Sequence, residues 1–351
     1  MNHYVGSLIL TTLFGLLPPC FAAERPPFEV VLVPNGDQQT APHGRGNIYA
    51  PDILIENGVY RMWFGGQGKD GHDRIHLAES RDGVKWTSKG VVLEDADANH
   101  VNDPSVVKLD KTYHMYYTRA GSDVRDVIAL ATSTDGVKWT KKGIVFKPGA
   151  DGTWDSLLVG RPSVLVADGV FRMWYDGRKD LPPDAPAKDV PKSDKSVRAV
   201  GYAESRDGVE WTRPQKEPVF REDAGGVHVA RVGDTLAMVY ESRDGTRVAL
   251  SSDGRAWTDG GVLAGRSGTD ADKFGHVTPF LLVDPADKTA TLFVGTAQAE
   301  SWDRNAIARI PLSEKQLQLI GERRPSRFLY CPIRASAAGE LGRSARGTQK
   351  Q

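Results

Sequence analysis

Residues 80–86 read SRDGVKW, and the pattern returns at 133–139 (STDGVKW), 205–211 (SRDGVEW) and 251–257 (SSDGRAW). Its aspartates, Asp82, Asp135, Asp207 and Asp253, are 53, 72 and 46 residues apart. A self-similar period near 50 residues marks a propeller or solenoid, in which each repeat buries its apolar face only against its neighbours. Around each copy the order is the same: an apolar strand, a turn, an aromatic-rich strand, a loop, a short Ala-rich strand, the SxDG turn and a last strand after the Trp. Within the turn, Ser and Asp cap the backbone, Gly takes a positive φ and Trp is left to pack between units.

The opening hairpins at 51–64 (PDILIENGVYRMWF), 104–117 (PSVVKLDKTYHMYY) and 162–175 (PSVLVADGVFRMWY) align without a gap. Asn57-Gly58 and Asp168-Gly169 are strong hairpin turns. A fourth copy runs over 227–240, and a fifth, over 279–294, has a longer turn and no SxDG element. The pattern predicts an all-β chain, a five-bladed β-propeller of four antiparallel strands per blade. Residues 28–33 (FEVVLV) are expected to complete the last blade and close the ring, which removes exposed strand edges. One propeller domain is expected over residues 23–334. The insertion 179–196 reads as a loop, and 335–351 as a disordered tail.

Gly and Pro make up about 17% of the 351 residues, against a usual ~12%, so turns are dense. An apolar share of 40% and eight Trp supply a core and exclude wholesale disorder. The 45 Lys and Arg cancel the 45 Asp and Glu, which argues against a nucleic-acid partner. The one long apolar run, 8–23, ends in Cys20-Phe21-Ala22-Ala23 and reads as a signal peptide over 1–22. That reading predicts a secreted or periplasmic protein with no membrane span. Cleavage would leave Cys331 as the sole thiol, so packing rather than an internal disulfide must hold the fold.

Propeller geometry places the start of each first strand at the mouth of the channel and the SxDG turns on the opposite face. The column before the aligned Pro reads Ala50, Asp103 and Arg161, with Thr278 in the fifth unit. Two positions on, the same inward parity gives Asp52, Ser105, Ser163 and His228, and His276 lies one inward step before Thr278. Differences between units at these positions suit a site better than a scaffold. Glu241 and Asp176 end second strands on the mouth face, and Trp154 and Asp155 sit in a connecting loop there. Tyr49 lies at the same face.

The strings Ala50-Pro51-Asp52-Ile53, Asn102-Asp103-Pro104-Ser105-Val106 and Gly160-Arg161-Pro162-Ser163-Val164, with Arg172-Met173-Trp174-Tyr175, resemble the five-bladed glycosidases of families 43 and 32. The likeness covers about residues 28–310. It implies a glycoside hydrolase acting on an oligosaccharide or polysaccharide. Asp52 and Asp103 would then be the base and the carboxylate that orients the site and tunes its pKa values. The acidic Glu of those families falls at Gly160 here, so the proton donor is sought at Glu241, His276 or His228. Arg161, His228, Trp154, Asp155, Asp176 and Tyr49 are the candidate substrate contacts, with Trp154 as the sugar platform and Arg161 suited to a hydroxyl or a uronic carboxylate. No cofactor or metal is expected: the spacing of Asp70, His72 and Asp73 is loose. GxSxG, GxxxxGK[ST], CxxC and HExxH are absent. A non-catalytic carbohydrate-binding propeller, a protein-interaction propeller and a phosphorolytic enzyme stand as alternatives.

Overall fold

The computed structural model describes residues 27–40, 46–121, 125–179, 197–220, 224–284 and 289–321. The expected signal peptide, most of the insertion (180–196) and the expected tail lie outside the described residues.

Strands dominate, and they follow the sequence repeat. Unit 1 is β2 (Ile48–Glu56), β3 (Val59–Gln67), β4 (Asp73–Ser80) and β5 (Trp86–Leu93). Unit 2 is β6 (His100–Leu109), β7 (Thr112–Ala120), β8 (Val127–Ser133) and β9 (Thr140–Phe146). Unit 3 holds β10 (Leu158–Ala167), β11 (Val170–Lys179) and β12 (Val197–Ser205). Unit 4 is β13 (His228–Val232), β14 (Thr235–Ser242), β15 (Gly245–Ser251) and β16 (Thr258–Gly265). Unit 5 is β17 (His276–Asp284), β18 (Thr289–Thr296) and β19 (Ile307–Pro311), and β1 (Glu29–Leu32) pairs antiparallel with β19. Consecutive strands within each unit pair antiparallel. Unit 3 departs from the expected four strands. Its outer strand shrinks to the isolated bridges Glu204↔Thr212 and Val200↔Phe220. Pro214 and Pro218 explain this, since neither can donate to a ladder.

Each SxDG turn has the capping geometry expected of it. In the first, Ser80 Oγ accepts from the Gly83 amide (2.9 Å), and Asp82 Oδ1 accepts from the Val84 and Lys85 amides (2.9 and 2.8 Å). Gly83, Gly136, Gly208 and Gly254 take φ of 68°, 72°, 74° and 78°. The glycine carbonyl then serves the preceding unit. Trp63 Nε1 donates to Gly136 O (2.9 Å), the Tyr116 hydroxyl to Gly208 O (2.9 Å) and Trp174 Nε1 to Gly254 O (2.8 Å). The Trp that ends each motif stands edge-on to an aromatic of the preceding unit: Trp139 to Trp63, Trp211 to Tyr116, Trp257 to Trp174, and Trp86 to Phe293 of unit 5.

Five buried apolar clusters each span two neighbouring units, and one of them joins Phe280 and Phe293 of unit 5 to Ile53 and Met62 of unit 1. Where unit 5 lacks an SxDG element, helix α1 (Glu314–Gly321) buries Ile320 in the cluster between units 4 and 5. Burial of apolar surface between units is the main favourable term, and the indole donors fix the register of that packing. Trp174→Phe removes one of the two indole donors to Gly254 O, leaving that of Trp257, and opens a void. It should destabilise the protein by about 2 kcal/mol in urea unfolding. A loss below about 0.5 kcal/mol would mean that this contact adds nothing beyond the apolar packing around it.

Candidate functional site

The residue before each aligned Pro has left-handed backbone. Ala50, Asp103, Arg161 and Thr278 have φ of 51°, 49°, 47° and 40°, and Gly226 takes 54° in unit 4. The strand ladder slips at the same place in four units: between Tyr49 and Asp52, Asn102 and Ser105, Gly160 and Ser163, and Val277 and Phe280. This is a β-bulge repeated around the mouth, a device that re-aims side chains at a cost of roughly 1–2 kcal/mol per non-glycine residue. The bulges line one cavity, to which every unit contributes: Asp52, Asp103, Arg161, His228 and Thr278 all face it.

One step deeper, Asp52 and its counterparts latch neighbouring units together. The Val106 amide donates to the Asp52 carboxyl. The Val164 amide donates to Ser105 Oγ (3.0 Å), Val229 to Ser163 Oγ (2.9 Å) and Leu281 to His228 Nδ1 (3.1 Å). Burial pushes Asp52 up to about 8 and His228 down to about 3. At neutral pH Asp52 therefore keeps its proton, which does not suit the base expected of it. His228 is neutral and has no proton to spare as an acid.

The charged part of the mouth comes mainly from units 2, 3 and 4. Asp176, fully buried at the end of β11, is the hub. It accepts from Arg161 Nη1 and Arg198 Nε, both at 2.8 Å, and Arg178 Nη2 lies 3.6 Å away. Burial would raise its pKa, but Arg198, Arg178 and Arg161 outweigh burial and hold it at about 2. Arg198 also reaches Glu241 Oε1 at 2.5 Å, and the Thr278 amide donates to Glu241 Oε2 at 3.1 Å. Burial works against ionisation of Glu241, yet Arg198, Arg161 and the Thr278 amide hold its pKa below the ordinary value. Gly225 and Gly226 make this pair possible. A Cβ on Gly225 would fall 1.7 Å from Arg198 Nε, and one on Gly226 2.5 Å from Glu241 Oε2.

Asp103 is different. Burial lifts it to about 6 against the pull of Arg161, whose Nε is 3.9 Å away, and of the Thr118 hydroxyl. Glu241 and Asp73 push it the same way as burial. Thr118 Oγ1 also accepts from the Arg161 amide (2.7 Å), so one threonine fixes two site residues. A Cβ at Gly160 would press on that hydroxyl at 3.0 Å, so a side chain there would require Thr118 to shift by a few tenths of an ångström. Asp103 Oδ1, Asp176 Oδ1, Arg161 Nε and Arg178 Nε are buried without a protein hydrogen-bond partner. Such groups are left for a polar ligand or water to satisfy.

Sequence reasoning missed part of the mouth. Asp126, on the loop into β8, is lifted to about 6 by burial, with Asp103 adding to the rise and Arg161 opposing it. His100 Nδ1 lies 3.0 Å from Asp73 Oδ2, and that carboxylate raises its pKa against the effect of burial. The Tyr49 hydroxyl accepts from Asn102 Nδ2 at 2.9 Å and sits beside them. Arg178 and Arg198 were also missed. Their signal was position alone, since both stand at β11 and β12 ends on the mouth face.

Three expected site residues are engaged elsewhere. His276 is fully buried between Thr246 Oγ1 (2.9 Å) and Asp272 Oδ2 (3.1 Å) and does not line the cavity. Trp154 lies nearly parallel to Tyr175 with ring centroids 5.8 Å apart, so one of its two ring faces is turned to Tyr175. Asp155 is buried and accepts from Tyr175 Oη and Arg213 Nε, both at 2.9 Å, which makes it a pin for the connecting loop. Among the described residues no helix is long and apolar enough to cross a membrane.

No protein-family model matches the chain. The Mycobacterium tuberculosis protein Rv1502 is 34% identical over 140 residues, 36% of this chain and 45% of that protein. A 1,2-β-oligomannan phosphorylase from Thermoanaerobacter is 27% identical over 177 residues, 44% of this chain and 59% of that protein. The matched stretch thus spans about half the length of these relatives. Among solved structures, BT0996 in its RGII complex superposes with a TM-score of 0.67 at 19% identity, over 82% of this protein and 92% of that one. A thermostable family-43 glycoside hydrolase gives 0.59 at 15% identity, over 78% and 91%. In fold, the chain resembles the propeller-type glycoside hydrolases.

Proposed function

We propose that the five units are the blades of a closed five-bladed propeller, with β1 completing the last, and that the protein cleaves glycosidic bonds at this mouth. The apolar cluster joining units 5 and 1 supports closure. The observation that carries the activity is the contrast between Asp103 and Glu241, which flank Arg161. Asp103 is pushed up to about 6 while Glu241 is held ionised. Glycoside cleavage needs both states at once: one carboxyl gives its proton to the departing oxygen, and another stays ionised to activate water or attack the sugar. In this reading Asp103 is the donor and Glu241 the ionised partner, whereas the sequence suggested an orienting, pKa-tuning carboxylate at Asp103 and a donor at Glu241, His276 or His228. Arg161 favours the ionised form of both, and Arg198 with the Thr278 amide adds a further pull on Glu241 alone. Asp52 stays protonated below the mouth and secures blade 2. The N-terminal apolar segment is in keeping with a protein that works outside the cytoplasm on oligosaccharides or polysaccharides.

A panel of arabinose-, xylose-, galactose- and mannose-type oligosaccharides tests this, with released sugar as the readout. Asp103→Asn should lower turnover by about 10²–10⁴-fold on the best substrate, with thermal unfolding near that of the wild type. Glu241→Gln should cost at least as much. Wild-type turnover in Asp103→Asn would contradict the assignment. Binding by calorimetry with no product would favour a carbohydrate-binding protein instead.

A second reading, phosphorolysis, is favoured by the convergence of Arg161, Arg178 and Arg198 and by the oligomannan phosphorylase among the relatives. Arginines carry the fork geometry that binds phosphate oxygens. Under hydrolysis, millimolar inorganic phosphate leaves the product unchanged. Formation of a sugar 1-phosphate that scales with phosphate would replace hydrolysis with this reading.

A further inference from the structure

Trp302 has no part in the cluster just described, yet its backbone is under strain. It stands in the loop between β18 and β19, on the mouth face, at φ 59°. A bulky side chain in the left-handed region is a true outlier, and such strain persists only where neighbours over-determine it. Three hydrogen bonds do so here. The Trp302 amide donates to Ala299 O (3.0 Å), its Nε1 donates to Phe274 O (2.9 Å), and its carbonyl accepts from Asn305 Nδ2 (2.7 Å). The ring is only partly buried.

Arg243 reaches this ring from the neighbouring unit. It is exposed at the β14–β15 turn, and its guanidinium carbon lies 5.2 Å from the indole centroid. Among the described residues no carboxylate pairs with it, whereas Arg161, Arg178 and Arg198 all meet carboxylates. Only Ser242 separates it in sequence from Glu241. Two residues of extended chain span about 7 Å, a step along a glycan from the mouth.

We propose that Trp302 and Arg243 form a second sugar subsite on the rim of units 4 and 5, one that takes an acidic unit, a uronic acid, of a longer glycan. The indole offers an apolar face to the C–H face of a sugar, and its hydrogen bonds fix that face in place. Arg243 supplies an unspent, planar cation for the carboxylate beside it. The subsite extends the glycan-cleaving reading of the mouth and rests on it for the direction of the glycan, while its ligand chemistry is read independently.

Binding by calorimetry tests the subsite on the full-length protein, with tetragalacturonate and neutral galactotetraose as probes. Product release from the same sugars is followed in a separate assay, so a failure of cleavage is read apart from a failure of binding. The wild type should bind the uronide at least tenfold more tightly than the neutral sugar at low salt. Arg243→Gln should erase that preference, and Trp302→Ala should weaken the uronide tenfold or more. Should Trp302→Ala fail to fold, the indole N–H resonance of Trp302, assigned with Trp302→Phe, should shift on titration of the wild type with the uronide. Equal affinity for the two probes, an unchanged preference in Arg243→Gln, or an indole resonance that does not move would overturn the proposal.

Discussion

The mouth of this molecule depends on one backbone constraint: the left-handed residue that each unit places just before its aligned Pro position. An ordinary strand would alternate its side chains between the two faces of its own sheet. The bulge interrupts that alternation, and residues 50, 103, 161, 226 and 278 meet at a common cavity. A neighbouring proline already disfavours right-handed helical backbone at the preceding residue, so part of the restriction is written in the sequence. Four of the five sites bear a side chain despite the steric cost. The latches beneath, from Asp52, Ser105, Ser163 and His228 to the next unit, hold the bulges at a common depth.

On that frame the charges are distributed unevenly. Asp103, Asp176 and Glu241 share a largely buried space with Arg161, Arg178 and Arg198. Removing so many charges from water is costly, and mutual attraction offsets the cost only where the geometry is good. Asp176 and Glu241 have that geometry: each receives direct contacts from Arg198 and stays ionised. Asp103 has a weaker version, with its nearest guanidinium nitrogen at 3.9 Å and one oxygen left unpartnered. The same set of arginines therefore leaves three carboxyls in two different states. Gly225 and Gly226 are part of this outcome, because any side chain there would displace the Arg198–Glu241 contact.

The repeat made most of the strand order legible in the sequence, since SxDG turns and gapless hairpins recur at a period that only stacked units explain. Unit 3 was over-read, because Pro214 and Pro218 break a strand that the repeat suggested. The inward columns were legible too, and Asp103, Arg161 and His228 do share a cavity. Side-chain state was not legible. Nothing in the string Val227-His228-Val229 says that the imidazole is a neutral acceptor for a backbone amide. Nothing in Thr153-Trp154-Asp155 would reveal that the loop folds onto Tyr175. Asp126, Arg178 and Arg198 belong to no recurring motif, and only the arrangement of strand ends around a common mouth brings Asp126 to Asp103 and the two arginines to Asp176.

The central claim is that this mouth keeps a proton on Asp103 under conditions where Glu241 has lost its own. Titration of the carboxyl carbons by NMR, with Asp103→Asn and Glu241→Gln for assignment, measures it directly. Because its folded pKa is raised, Asp103 should hold its proton below about pH 6 and lose it as the pH rises through that value. Glu241, whose pKa is lowered, should stay ionised below the ~4.3 of an ordinary glutamate. Titration of both groups at ordinary values, or Glu241 holding its proton longer than Asp103, would contradict the account.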